Sequence, residues 1–481
     1  MSIGAAFNAA GSGLTASARL AETISANVAN ALTEGYARRS VGLSSVPLGG
    51  HGSGVRVLGT ARAEQAQITA ERRMMDAESG AARAIAEARE RVLAAVGMPG
   101  EAGSLAARVT AFETALLAAA ASPSASLKLE QAAEAARSLV GAINGAAEAM
   151  AAIRTDAEAE IERQVGILNS TLHDIEALNR KIRIGMQQGL ETASLEDERT
   201  RALDRIADIV PLRTVRREGG EIAIYTANGG LLLDGRVWEL AFDRTLPVIT
   251  PEMTGPLPPL GQDRGSASGP EAVSATGAGL MAGGSLGALF EVRDSIAPAM
   301  AGDLDAFAGD LVARFADLTE FNGGEAGLFT DPGAGGAGIA ARLELNPLVD
   351  PAHGGEARRL RDGLASAAPG PVGFGGHLQA LVDAMTESRN PGNMVSTSAA
   401  ATDAGLAAEI GAWFGAQAAQ AEEARAFFAG QSAILGEREV SLLGVDTDAE
   451  LQFLMLVEQS YAANARVLTV IDSLLRQLLE I

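Results

Sequence analysis

Ile24-Ser25-Ala26-Asn27-Val28-Ala29-Asn30 closes a run in which Ile3, Phe7, Ala10, Leu14, Ser17, Ala21, Ile24 and Val28 recur at alternating steps of four and three. That spacing lays small and apolar residues along one stripe of a helix, as in a coiled-coil seam. The other end of the chain repeats it through Leu454, Val457, Tyr461, Asn464, Leu468, Ile471, Leu475 and Leu478. Asp446, Thr447 and Asp448, after Gly444, supply N-cap candidates and first-turn acids for this second helix. Asn464 is the polar member of an apolar row, a residue type that fixes register at some cost in stability. Helices of about 25 to 30 residues run about 40 Å, so each seam buries itself against the other, against further subunits, or on an ordinary globular body.

Composition narrows the class. The chain has 481 residues, enough for two to four domains with a substantial core, and 47% of them are hydrophobic, which fits a folded protein. Only 4% are aromatic, so the core is filled by Ala, Leu, Val and Ile, and Ala-rich stretches favour helix. Sixty acidic against 38 basic residues leave a net charge of -22, which repels phosphate backbones and anionic lipid and argues against nucleic-acid and membrane-surface partners. Lys128 and Lys181 are the only lysines; no physical reason for the arginine bias is evident. The absence of cysteine excludes disulfides, thiolate metal ligands and a Cys nucleophile. The first positive charge is Arg19, so the N-terminus lacks the basic start of a secretory signal; the expectation is a cytoplasmic chain or one exported without a cleaved signal.

Residues 24–30, with Thr33, Gly35-Tyr36 and Arg38, resemble the signature of the flagellar rod, hook and hook-associated axial proteins. Gly52-Ser53-Gly54-Val55-Arg56-Val57, Gly59, Arg62, Ile68-Thr69 and Arg72 resemble the stretch that follows in the hook-associated protein 1 family of the hook–filament junction. Gln459, Tyr461-Ala462-Ala463-Asn464-Ala465-Arg466-Val467-Leu468 and Leu474-Leu475 are similar to its C-terminal helix. Leu195-Glu196-Asp197-Glu198-Arg199-Thr200-Arg201-Ala202-Leu203-Asp204 is similar to its helix before a β-rich domain, and Gly283-Gly284-Ser285-Leu286-Gly287-Ala288-Leu289 to its return helix. Ala37, Arg39 and Gln65 depart from the family pattern.

Locally, Asn30 and Gly35 suit turn or left-handed backbone, and Tyr36 offers an anchoring ring. Helical periodicity runs through about 62–96, 101–120, 126–188 and 194–208, broken at Gly97-Met98-Pro99-Gly100 and Ser122-Pro123-Ser124. Ile222, Ile224 and Thr226 alternate with Ala223 and Tyr225, and Gly219-Gly220, Asn228-Gly229 and Asp234-Gly235 punctuate 211–242, which predicts a small β-meander. Residues 247–284 read as a Pro/Gly/Ser-rich linker. Leu304, Phe307, Leu311, Phe315 and Leu318 form a helical stripe that Pro298 kinks or divides. Residues 323–375 read as loop with short elements, and 377–388 and 400–440 as helices.

The expected fold is mainly α with a smaller β-rich inserted domain, and paired N- and C-terminal helices forming a coiled-coil-like end. A terminal-helix polymerisation domain takes 1–35 and 447–481. A long helical domain takes 36–208 and 285–446, and a β-rich insert with linker takes 209–284.

Motifs for chemistry are weak. Gly283-Gly284-Ser285-Leu286-Gly287 satisfies the G-x-S-x-G pattern without a preceding strand, so Ser285 reads better as a helix cap. Gly333 to Gly338 satisfies G-x-G-x-x-G after Asp331-Pro332 and not after a strand. His51, His173, His353 and His377 are scattered, and Glu196, Asp197 and Glu198 read as a solvated face. No catalytic, cofactor or metal site is assigned.

The resemblance implies a non-enzymatic structural subunit that joins hook to filament and leaves through the flagellar export apparatus. Its implied partners are further copies of itself, the hook protein, hook-associated protein 3 and an export chaperone on the C-terminal helix. Asn27, Asn30, Thr33, Gly35, Tyr36 and Arg38 would form the assembly motif, and the two seams the interface. Before assembly the seams are expected to be mobile. Another axial protein such as the hook protein, a hydrolase built on Ser285, and a cytoplasmic helical scaffold dimerising through Leu454 to Leu478 are the other readings.

Overall fold

The computed structural model describes residues 3–48, 51–245, 248–324, 326–333, 335–392 and 394–479. The chain is mainly α, with small β-rich segments inserted between long helices. Helix α1 (Ile3–Ala29) leads to a hairpin of β1 (Arg39–Leu48) and β2 (His51–Arg62), then to α2 (Ala66–Val96), α3 (Leu105–Ala121), α4 (Ser126–Gln187) and α5 (Ala193–Asp204). Strands β3 (Leu212–Arg216), β4 (Ile222–Thr226), β5 (Leu231–Asp234), β6 (Arg236–Val237), β7 (Leu240–Ala241), β8 (Leu260–Gln262) and β9 (Glu271–Val273) follow. Helix returns with α6 (Gly284–Glu291) and α7 (Ala297–Ala316). Short elements α8 (Thr319–Asn322), β10 (Phe329–Thr330), α9 (Ile339–Arg342), β11 (Glu344–Leu345) and α10 (Arg359–Asp362) lead to α11 (Gly376–Thr386), α12 (Asp403–Leu443) and α13 (Thr447–Leu479). No helix among the described residues is long and apolar enough to cross a membrane.

The helix breaks have local causes. Gly97 takes φ 77° and its N–H closes α2 onto Leu93 O at 2.7 Å; Ser104 Oγ then caps α3 by accepting from Ala107 N at 3.2 Å. Helix α4 ends at Gly189, φ 70°, with Leu190 N bonded back to Gly185 O at 2.9 Å.

The chain divides into two units, one of Met1–Glu78, Ile167–Glu239 and Ala429–Ile481, the other of Ser79–Gly166 and Leu240–Phe428. In the first, β1 and β2 pair antiparallel with register shifts at Gly42/Leu43 and Ser45/Pro47, and a four-stranded sheet runs in the order β3-β4-β5-β6. Leu168, Leu172, Ile175 and Ile182 of α4 are fully buried at helical spacing. Asn179, on the same helix, donates to Ile222 O at 2.9 Å and accepts from Ile222 N at 3.3 Å, tying α4 to β4. The expected meander is therefore present. So is the hairpin over 39–62, inside the segment assigned from sequence to the helical domain.

In the second unit Val109, Phe112, Leu116 and Ala119 form the buried face of α3. Phe112, Phe315 and Phe329 meet edge-on or tilted at 5.1 to 6.4 Å between centroids, each burial worth roughly 1.5–3 kcal/mol and each contact roughly 0.5–1.5 kcal/mol more. Leu304, Phe307, Leu311 and Phe315 are buried as the stripe predicts, while Leu318 lies beyond the end of α7. The helix is divided just before Pro298 by a π-turn over Val292–Ile296. The segment read as a linker, 247–284, instead supplies β8 and β9 to a three-stranded sheet with β7, because Leu260 and Val273 are buried there.

Arg314 is wholly buried in this unit. Its Nε donates to Asp310 Oδ2 at 2.5 Å and lies 2.9 Å from Asp403 Oδ1 without hydrogen-bond geometry, so among the described residues neither Asp403 oxygen has a hydrogen-bond donor. Burial pushes the Asp403 carboxyl up to about 7, with the Asp310 carboxylate adding to the shift and Arg314 opposing it. The folded state thus holds a proton that the unfolded chain gives up near pH 4. This contribution is fully present at low pH and is lost as pH rises toward 7. Asp403→Asn should match the wild type in thermal unfolding near pH 4 and exceed it at pH 8 by a few kcal/mol at most, roughly; equal stability at both pH values would contradict the assignment.

Candidate assembly interface

The two terminal helices meet. A Cβ added to Gly13 would lie 2.7 Å from Asn464 Nδ2, and Asn27 Nδ2 reaches Glu450 Oε2 at 3.2 Å. Residues 13 and 27 on α1 face 464 and 450 on α13, fourteen apart in each helix and in opposite order, so the pair is antiparallel. Ala10, Ser17 and Ile24 of the first seam and Val457 and Ile471 of the second are buried, and Leu14, Ala21, Val28, Leu454, Asn464 and Leu468 are half-buried. Ile3, Phe7, Tyr461 and Leu475 remain exposed, and the side chain of Leu478 lies outside the described residues.

The signature residues converge where α1 ends and α13 begins. Asn27 is 1% exposed; its amide donates to Arg39 O at 2.8 Å as well as to Glu450, and its oxygen accepts from Arg39 N at 3.0 Å and Tyr36 OH at 2.9 Å. Glu450, also 1% exposed, accepts from Arg38 Nε at 2.6 Å, while Arg38 N donates to Leu443 O at 2.8 Å. Asn30 turns the chain by donating to Ala26 O at 2.8 Å and accepting from Thr33 Oγ1 at 3.4 Å, and Gly35 takes φ 74° as a turn there requires. Burial raises the Tyr36 hydroxyl above its ordinary value, and the Asp197 and Glu450 carboxylates add to this against Arg39. Asp446 Oδ1 caps α13 by accepting from Asp448 N and Ala449 N, both at 3.0 Å.

Asp197 is not on a solvated face. It is buried and accepts from Arg62 Nε at 2.6 Å and an Arg39 guanidinium nitrogen at 3.1 Å. Glu198 is exposed as expected, and Glu196 accepts from Thr192 Oγ1 at 2.8 Å. A second network joins α2, α5 and α12. Arg72 reaches Asp76 at 2.6 Å and Asp204 at 2.5 Å and pairs with Glu439, and Arg73 reaches Asp204 at 2.8 Å. Burial opposes the Arg72 charge, but these carboxylates overcome it and raise its pKa. Strand β2 lies close on α1, because Ser12 Oγ accepts from Val55 N at 3.1 Å and sits where a Cβ of Gly54 would be.

Helix α13 carries a second apolar stripe. Leu456, Ala463, Val467, Val470 and Leu474 repeat the same steps of seven, four, three and four beside the seam, and all are exposed. This rhythm runs one register away from the seam in the sequence itself.

The motifs with catalytic precedents are occupied otherwise. Gly283 is the N-cap residue of α6, so Ser285 does not cap it; the Ser285 hydroxyl is buried and donates to Gln164 Oε1 at 3.1 Å. In the glycine loop, which includes position 334 outside the described residues, Gly333 N and Gly335 N donate to Asp331 at 2.9 and 2.7 Å. A carboxylate thus takes the place a phosphate would need. His173 bonds Glu239 at 2.8 Å, which raises its pKa, and His353 bonds Asp350 at 2.7 Å. His377 packs on Phe321 and Phe374, and the side chain of His51 lies outside the described residues.

Residues 97–322 match the family model of the flagellar hook-associated protein FlgK helical domain. Over these residues the chain is similar to that domain. This match lies in the middle of the sequence; it includes residues 195–204 and 283–289 and lies apart from the terminal motifs. Among solved structures, the flagellar hook junction protein FlgK from Burkholderia pseudomallei is similar at 17% identity with a TM-score of 0.45, over 55% of this chain and 46% of that one. The match thus spans less than half of that protein's length. No curated protein matches.

Glu450→Ala should lower stability by about 2 kcal/mol in urea unfolding and speed hydrogen exchange along α13, since it strips the acceptor from two donors. An unchanged exchange pattern would contradict its role. Gly54→Ala should cost roughly 1–3 kcal/mol, because it forces φ 124° on a residue with a Cβ and drives that atom into Ser12.

Proposed function

We propose that the chain is a structural subunit of the bacterial flagellum at the hook–filament junction, assembled with copies of itself through α1 and α13. The observation that carries this reading is the exposed stripe of Leu456, Val467, Val470 and Leu474 beside a seam that α1 partly covers. A contiguous apolar strip of this kind is unusual on an isolated soluble protein and suits a surface buried on association. The FlgK-like middle supports the flagellar setting. Asn27, Asn30, Thr33, Gly35, Tyr36 and Arg38 then act by fixing the angle at which α1, the hairpin and α13 meet, with Glu450 as the partner of Asn27 and Arg38.

The neighbours in this reading are the hook protein on one side and hook-associated protein 3 on the other. The subunit passes the flagellar export apparatus without a cleaved signal, and an export chaperone covers α13 until then. Its work is mechanical and done at interfaces. The occupied Ser285 hydroxyl and the Asp331-filled glycine loop support this over hydrolase or nucleotide chemistry.

The test is the location of epitope-tagged copies in flagellated cells. Full-length protein should appear at the hook–filament junction, and both a copy lacking residues 447–481 and a folded Val470→Asp/Leu474→Asp copy should be absent from it. Hook localisation would favour the hook-protein reading, and diffuse cytoplasmic signal from all copies would favour the scaffold. In the free chain, amides around Leu468 should exchange faster than those of α4; comparable protection would contradict the expectation that the ends order on assembly.

A further inference from the structure

Strand β3 ends its sheet. It pairs with β4 on one side, from Leu212↔Thr226 to Arg216↔Ile222, and among the described residues with no strand on the other. Beside it lies a cleft of about 520 Å³ within the first unit, lined by β3, the start of α2, α5 and the end of α12. Five arginines line it, Arg62, Arg73, Arg199, Arg213 and Arg216, against Glu64 and Glu439. In a chain of net charge -22 this is a local reversal of sign.

The arginines are not equally engaged. Arg62 and Arg73 are held by Asp197 and Asp204. Among the described residues Arg199 donates to neutral oxygens, Asn179 Oδ1 at 2.9 Å and Gly220 O at 2.7 Å, and burial lowers its pKa against the attraction of Glu196. Arg213 is exposed and has no acidic partner among the described residues. Arg216 pairs with Glu64, which shows that a carboxylate fits against this end of the strand.

An open strand edge offers a row of backbone donors and acceptors to a further strand. Cationic side chains on that edge repel a second copy of the same strand, Leu212-Arg213-Thr214-Val215-Arg216, and admit an acidic one. We propose that the β3 edge and its arginine-lined cleft bind an extended acidic peptide segment of a partner protein, which adds to the sheet as a strand. Backbone pairing supplies the contact, and Arg213, Arg216 and Arg199 select carboxylate side chains.

The experiment uses the full chain and a fluorescein-labelled short peptide of alternating Glu and Val, read by anisotropy. Saturable binding is expected at low salt, weakened about tenfold or more by Arg213→Glu/Arg216→Glu and weakened by added salt. The same peptide N-methylated at alternate residues, which blocks strand pairing, should not bind. Both arginines are exposed, so the double variant should keep the wild-type circular dichroism and Tm. Absence of binding, equal binding of an alternating Lys and Val peptide, or indifference to the double variant would overturn the proposal. Equal binding of the N-methylated peptide would overturn strand addition and leave simple charge attraction.

Discussion

The buried carboxylate of Glu450 is the constraint on which the terminal region depends. It stands in the first turn of α13, where the helix dipole favours an acid, and receives Asn27 from the end of α1 and Arg38 from the turn that follows. Because Asn27 also bonds both backbone groups of Arg39, one side chain fixes the end of α1, the entry to β1 and the start of α13 together. A buried charge so placed is costly unless every donor is present. The geometry of three elements therefore stands or falls as a unit, and the antiparallel pairing further along, where Asn464 lies against Gly13, follows from it.

Charge takes the place of ring packing in the first unit. Asp197 binds Arg39 and Arg62, and Asp204 binds Arg72 and Arg73, so two carboxylates on α5 hold β1, β2 and α2. Guanidinium forks suit such shared carboxylates better than ammonium groups do, which gives the arginines a structural use in these networks. The second unit uses the scarce aromatics instead, clustering Phe112, Phe315 and Phe329 in its core.

Much of the helical fold was legible because its signals are local. The breaks at Gly97 and Ser122-Pro123, the ends of α4 and the alternation over β4 rest on backbone preferences and periodicity within one segment. The hairpin over 39–62 was not, since Gly42, Gly54 and Gly59 interrupt its alternation and bulges shift its register. Strands β8 and β9 are three residues each, too short to show a period. For the site, residue types and the turn at Asn30 could be read, but Glu450 could not be distinguished from other first-turn acids. The burial of Asp197 is not legible locally because its partners, Arg39 and Arg62, stand far away in sequence.

Assembly through α13 requires its outer stripe to be free in the single chain and covered in the assembled structure. The chain has no cysteine, so Leu474→Cys supplies a single reactive thiol on that stripe. Maleimide labelling of this variant should be fast in the free protein and strongly suppressed in isolated flagella. Equal labelling in both states would contradict the account.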